Sequence, residues 1–310
     1  MDVRQLRYFI GVVEAGSFTA AAHRLGVAQP ALSQTVIALE SDLGVELLER
    51  QPRGVRATAA GMMLLDHAHI VLRSLERARE AVSDAGGDVS GRVAIGLPST
   101  IAPLLAVPLM KEALQTMPGV AVHLVESHSG FLREWLDVSR LDLAVLFNVA
   151  NTDGVDILPL VIEDLHVINV RQFKSPKGDI SLRDLRGMQL IMAGRSHDLR
   201  DTLDDALFLA TKQWLTVTAE VDSLPTIKQM VIAGLGSTVL PLANVQTELA
   251  DGRLTARRIV RPAIERHASL VSLAHRPTTR AQKAVACLVV KVTAQLVSQG
   301  VWPARRARRS

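Results

Sequence analysis

Few side chains in this sequence stand at spacings that could support catalysis. His67 and His69 are two apart on a helical stretch, which turns them to different faces and gives poor metal spacing. His123 and His128 lie near a strand end, again not a metal arrangement. Asp198, Asp201, Asp204 and Asp205 have the spacing of a solvated helix face. Gly234-Leu235-Gly236 follows a helix instead of a strand, so it reads as a helix stop and turn. There is no G-x-S-x-G elbow, Walker loop or H-E-x-x-H motif. The single cysteine, Cys287, excludes an internal disulfide and sits in the apolar run "AVACLVVKV", where a small core residue is expected. The chain therefore reads as a non-enzyme without metal or cofactor.

What chemistry remains is that of recognition. In "GVAQPALSQTVIALESDLGVELLER", residues 26–50, Leu32, Val36, Leu39 and Leu43 form one apolar stripe. Pro30, Ser33, Gln34, Ile37 and Ser41 then project to the opposite side. Serine and glutamine both donate and accept, which suits base edges and phosphates in a major groove. Pro30 is tolerated in a first turn because its missing N–H would be unpaired there anyway. Ala28 has no side-chain oxygen to cap the helix. The open N–H groups and positive dipole end are left to a DNA phosphate or to water.

Three zones position these residues. Residues 1–58 read as three short helices and a basic turn. Leu6, Phe9, Ile10 and Val13 have helical spacing, and Ser17 can cap the second helix, "FTAAAHRL". Gln29 to Leu43 is the third helix. Pro52 and Gly54, flanked by arginines, suggest a short two-stranded wing. Residues 59–88 predict one long helix. Its Leu64, Ala68, Val71, Leu75, Ala78 and Val82 alternate four- and three-residue steps, an a/d seam for dimerisation. Residues 91–300 alternate strands and helices in the βαβ rhythm of a parallel sheet, twice over, giving two lobes. Small ligands commonly bind in such a cleft.

Charge does not betray a partner. The net charge is +4, but the last ten residues, "VWPARRARRS", carry four arginines and no acid, so the remaining 300 sum to zero. Residues 1–58 hold six basic residues against six acidic ones. DNA binding by this domain would depend on placement, not bulk charge. The tail reads either as a solvated, disordered end or as a source of non-specific, salt-sensitive DNA attraction. No apolar run reaches the roughly 18–20 residues of a membrane helix, and the N-terminus lacks a signal-peptide pattern. A cytoplasmic protein, with no membrane partner, is expected.

Residues 1–61, through "LRYFIGVVEAGSFTAAAHRLGVAQPALSQTVIALESDLGVELLER" and "RGVRATAAG", resemble the winged helix-turn-helix of LysR-type transcriptional regulators. "GRVAIGLPST" and "IKQMVIAGLGSTVLP" are similar to that family's effector domain. "LVESHSGFLREWLDVSRLDLAVLF" looks most like the subgroup around the nitrogen assimilation control regulators. Leu48, Ala57 and Ser139 depart from the family's common Phe, Leu and Gly. The resemblance implies an α plus α/β fold in four parts. These are a DNA-binding domain over 1–58, a dimerising linker helix over 59–88, an effector domain over 91–300, and a basic tail over 301–310. The effector domain would be periplasmic-binding-protein-like, with lobe I at about 91–161 and 267–300 and lobe II at about 162–266.

The resemblance also implies roles. Gln29, Pro30, Ser33 and Gln34 would meet the major groove, and Arg53 on the wing a minor groove, where arginine reads shape as well as charge. Arg50, Arg56 and Thr58 would contact phosphates or support the wing. Between the lobes, Ser99, Thr100, Ser129, Gly130, Phe147 and His197 would form the effector pocket. Hydroxyls at a helix N-terminus suit a carboxylate or other anion, and simple capping is the alternative for each of Ser99, Thr100, Ser129 and His197. Double-stranded promoter DNA, a small organic effector, further copies of the chain up to a homotetramer, and RNA polymerase are the partners implied, in a bacterial, nucleoid-associated setting. The alternatives are an effector-independent regulator and a solute-binding protein; residues 1–88 argue against the latter.

Overall fold

The computed structural model describes residues 1–51, 54–83, 89–150, 154–171, 178–195 and 197–307. Pro52 and Arg53 lie outside them, and Arg50 and Val82 are described by backbone alone. The chain divides into two compact units, the first ending near residue 87 and the second following it.

In the first unit, α1 (Val3–Ala15) starts with a capping box: the Asp2 carboxylate accepts from Gln5 N, and Gln5 Oε1 accepts from Asp2 N, each at 2.8 Å. Ser17 caps α2 (Phe18–Leu25), as expected. The α2 residues Ala21 and Ala22 are buried, and their small side chains let α3 (Gln29–Leu43) cross closely. Phe9, Val12, Leu32, Val36, Leu39 and Leu47 complete the core. The α3 stripe is one residue shorter than its spacing predicts, because Leu43 is 39% exposed. Gly44 ends the helix there in the left-handed conformation, and Leu47 fills the core instead. Glu40 Oε1 accepts from Leu47 N at 2.8 Å and Leu48 N at 3.0 Å, pinning the chain as it turns.

β1 (Leu48–Gln51) and β2 (Gly54–Ala57) form the two-stranded wing, in antiparallel register from Leu48↔Ala57 to Gln51↔Gly54. Val55 N donates to Gly16 O at 2.8 Å, anchoring the wing to the end of α1. A Cβ at Gly54, where φ is 139°, would fall 2.3 Å from that same carbonyl oxygen, so only glycine fits. α4 (Ala59–Ser83) follows. Its Leu64 and Ala68 pack on Leu6 and Ile10 of α1. This revises the expected dimer seam: its first two positions are spent within the chain, because the short α1–α3 core needs a fourth wall.

In the second unit, β3 (Gly91–Pro98), β4 (Val120–Ser127) and β5 (Leu143–Phe147) run parallel in the order β4-β3-β5. α5 (Ala102–Thr116) packs with Val93, Ile95 and Leu97 on one face. α6 (Ser129–Asp137) packs with Ala94, Ala144 and Leu146 on the other. Burial on both faces explains the continuous apolar runs. The turn after α6 places Ser139 at φ 62°, in the left-handed region that favours glycine.

The sheet is not all parallel, contrary to the βαβ expectation. A 16-residue strand, β6 (Val155–Val170), runs through both lobes. β7 (Ile180–Ser181), β8 (Ile191–Met192), α7 (Asp198–Thr211), β9 (Ala219–Glu220), α8 (Leu224–Ile232), β10 (Thr238–Pro241), α9 (Gln246–Ala250) and β11 (Leu254–Val260) build the second lobe. β12 (Glu265–Leu273) returns antiparallel between β5 and β6. Along β6, Val161 belongs to the first core and Leu165 to the second, so the two cores meet at Glu163. The stretch "WLTVTAEV", residues 214–221, contributes only the two strand residues Ala219–Glu220.

α10 (Arg280–Ser298) closes the first core through Val285, Leu288, Val289, Val292 and Leu296. Among the described residues it is the one helix apolar and long enough to cross a membrane, and its inward face makes it a core helix. Cys287 is exposed on α10, against expectation, because the helix turns it away from that core. The tail is also corrected. Trp302 is fully buried, and β13 (Arg305–Arg306) pairs with Ile162 and Val161 of β6. Arg305 meets Glu265 at 2.7 Å, so this basic residue is occupied within the chain.

Candidate functional site

The first candidate surface is the outer face of α3. Gln29, Pro30 and Gln34 are exposed, Ser33 is half-buried, and Ile37 is 51% exposed. Ala28, at the cap position, gives no side-chain hydrogen bond, so the N–H groups of the first turn have no capping oxygen. Arg56 is exposed on β2. Thr58 has a structural occupation: its hydroxyl donates to Glu46 O at 2.8 Å and accepts from Gly61 N at 3.0 Å. That supports the wing and starts α4. On the far part of α4, Val71 and Ala78 are exposed and Leu75 is half-buried.

The second candidate site lies between the lobes. Its centre, Arg266, carries no sequence signal beyond a charge at the edge of a strand. Arg266 and Glu163 are cross-strand partners on β12 and β6, each 1% exposed at the side chain, with a 3.0 Å bond between them. The guanidinium lies 3.7 Å above the Phe147 ring. It also donates to Thr100 Oγ1 at 3.3 Å and to Asp198 Oδ2 at 3.2 Å. The other Asp198 oxygen accepts from Ser129 Oγ at 2.6 Å. From the tail, Trp302 Nε1 donates to Glu163 Oε1 at 2.8 Å.

Thr100, Ser129 and Phe147 thus converge, and neither hydroxyl is a simple cap. α5 has no side-chain cap, and Ser129 is the first residue of its helix, bonded across the cleft. Gly130, exposed on α6, stays out of the cluster. His197 holds the cap position of α7 without capping it; its ring lies 3.6 Å from that of His128. Ser99 lines a cavity of about 880 Å³ together with His128, Asp222, Lys228, Asn244 and Glu248. Asn244 bridges the lobes by donating to Thr100 O at 2.7 Å, and Asn148 does so by donating to Thr202 Oγ1 at 3.0 Å. Two of the four clustered aspartates are not solvated as expected. Asp204 is buried on Arg200 and Leu215 N, and Asp198 faces the cleft, each adding a carboxylate to an arginine that already holds one, Glu220 on Arg200 and Glu163 on Arg266.

Burial pushes His197 below the ordinary histidine value, and His128 adds in the same direction. Burial lowers His166, on β6, likewise. The Gly194 N–H, 2.9 Å away, holds Asp222 below the usual carboxylate range. Asp222 lies 3.3 Å from His197 Nε2 without hydrogen-bond alignment. A depressed histidine binds fewer protons folded than unfolded. Its contribution is complete above about pH 6.5 and is lost as pH falls towards the folded value. The urea midpoint of the second unit is expected to fall between about pH 7 and 5.5. His197→Gln is expected to remove part of that fall, leaving the share due to His166; an unchanged slope would refute the assignment.

A two-lobed ligand-binding fold and a helix-turn-helix with a wing define a ligand-responsive DNA-binding regulator. Residues 3–62 match the bacterial regulatory helix-turn-helix of the lysR family, and residues 86–293 match the LysR substrate binding domain. The chain belongs to the LysR family of transcriptional regulators, and it is a DNA-binding regulator with an effector-binding domain. It is 34% identical over 271 residues to the nitrogen assimilation regulatory protein nac of Klebsiella aerogenes, covering 87% of this chain and 88% of that protein. To the dual regulator OxyR of Escherichia coli it is 33% identical over 272 residues, 87% and 89% of the two. A full-length OxyR variant from Pseudomonas aeruginosa superposes with a TM-score of 0.74 at 27% identity, over 100% and 99% of the two chains. CbnR in complex with its target DNA gives 0.66 at 26% identity, over 95% and 99%.

Proposed function

We propose that α3 reads operator DNA through Gln29, Pro30, Ser33 and Gln34, with Arg50, Arg53 and Arg56 of the wing beside it, and that a small molecule bound between the lobes modulates this binding. The single observation that carries the reading is the uncapped, polar outer face of α3 on an otherwise closed core. The charge balance of residues 1–58 supports recognition by placement, and a weakly binding module gains from being linked to further copies. The exposed Val71 and Ala78 on α4 favour assembly into dimers, and through the second unit into tetramers. RNA polymerase is the partner through which such a regulator acts, in the bacterial cytoplasm on the nucleoid. The large cleft cavity favours an effector-responsive protein over an effector-independent one. With one cysteine in 310 residues, no disulfide can form within the chain.

The test is Ser33→Ala with Gln34→Ala, measured by anisotropy on a DNA site selected from random sequence. A good base contact is worth about 1–3 kcal/mol of discrimination. The double variant is expected to lose at least about tenfold in preference for the selected site over random DNA, while non-specific affinity changes little. Unchanged preference would remove the recognition face.

A further inference from the structure

The donors around Asp198 are those a bound carboxylate would want. Arg266 Nη1 reaches one carboxylate oxygen and Ser129 Oγ the other, at 3.2 and 2.6 Å. Thr100 Oγ1 stands beside them on Arg266 Nη2, and the ring of Phe147 shields the guanidinium. Ser129, Thr100 and Phe147 sit at the ends of first-lobe elements, and Arg266 lies where the two cores meet on β12. Asp198 alone comes from α7 of the second lobe. Arg266 keeps a buried Nε with no partner, so even with Asp198 in place its hydrogen-bonding is incomplete. The free space left among these residues is about 20 Å³, room for one water and little else. The cavity of about 880 Å³ shares Ser99, Ser127 and His128 with this small space.

We propose that this is a carboxylate-binding site that the chain fills with its own Asp198. An effector carrying a carboxylate exchanges with Asp198 on Arg266 and Ser129, and the rest of its body occupies the large cavity. The inference rests on the reading of the cleft as the effector site. Exchange conserves charge and hydrogen bonds around Arg266, so the buried guanidinium is never left bare. What changes is the tie between lobes, because Asp198 leaves Ser129 and Arg266 while the ligand makes no covalent link to α7. Competition from a tethered carboxylate also weakens the apparent affinity of any ligand by the fraction of time the site stands open.

The test uses the full chain and sodium acetate as probe, at constant ionic strength against sodium chloride, with acetamide as the neutral isostere. Thermal unfolding is followed for wild type, Asp198→Ala and Asp198→Asn. A bound ligand raises the midpoint in a saturable way. Acetate is expected to do so for Asp198→Ala at a concentration at least about tenfold below any effect on wild type, and acetamide is not. Asp198→Asn, which keeps the side-chain shape, is expected to respond in the same direction and serves alone if the alanine variant does not fold. Equal responses in wild type and variants, or equal responses to acetate and acetamide, overturn the proposal. The same samples are then titrated with the selected DNA site. Acetate binding that leaves the DNA complex unchanged overturns the effector reading while the carboxylate site stands; absent acetate binding overturns the site and leaves the DNA reading untouched.

Discussion

Replacing Arg266 by methionine is expected to destabilise the second unit by about 3–5 kcal/mol. Glu163 would lose its cross-strand partner while remaining 1% exposed, and one of its two bonds would vanish. Asp198 and Thr100 would lose a donor at the same time. A carboxylate left in that position keeps the cost of leaving water and has only the indole N–H of Trp302 in return. All three tryptophans, Trp135, Trp214 and Trp302, lie in the second unit, so their fluorescence during urea unfolding reports that unit alone. The decisive comparison is the double variant Arg266→Met with Glu163→Leu. It removes both charges and is expected to recover most of the loss, as buried ion pairs replaced whole by apolar groups commonly do. Equal destabilisation in single and double variants would mean that shape, not charge pairing, governs the junction.

Trp302→Ala is expected to cost about 3–5 kcal/mol, the range for a large buried aromatic side chain truncated to alanine. The residue belongs to the first core with Val289, Val292 and Leu296. Its removal also takes the N–H from Glu163 Oε1. Trp302→Phe keeps a six-membered ring while losing the donor and the rest of the indole. That variant is expected to cost less than the alanine variant, about 1–3 kcal/mol, from the unsatisfied acceptor and the smaller void together. The measurement is again the urea transition, now read from Trp135 and Trp214. A tail serving only as a basic DNA-binding extension would give no stability loss in either variant. Its β13 pairing with Val161 and Ile162 argues for the structural role.

The three helices and wing of the first unit were legible because each has a local cause: Ser17 as cap, glycines at helix ends, and an apolar stripe of constant period. Thr100, Ser129, Phe147 and His197 were legible as strand-end and helix-start residues, and their effector role is what the family resemblance implies. Their mutual contacts were not, nor was their dependence on Arg266, Glu163, Asp198 and His128. β6 was missed because "VDILPLVIEDLHVINV" serves two cores and has a proline within it, so neither alternation nor a single apolar run describes it. Cys287 was placed inside because an apolar neighbourhood in sequence does not say which side of a helix faces the core.

The tail shows the same limit from the other side. Four arginines in ten residues read as solvated, since charge repels charge and local sequence offers no partner. Once the chain has folded, the β6 edge pairs with Arg305 and Arg306, and Glu265, 40 residues before Arg305, meets its guanidinium. By itself the sequence determined the helices, the outward chemistry of "QPALSQ" and the two-lobed class, because caps, turns and periodicity act over a few residues. Only the tertiary structure decided which charges are buried and paired. Glu163 meets Arg266 across a sheet and Asp198 meets Ser129 across a cleft, and desolvation, which makes such pairs matter, depends on the whole fold.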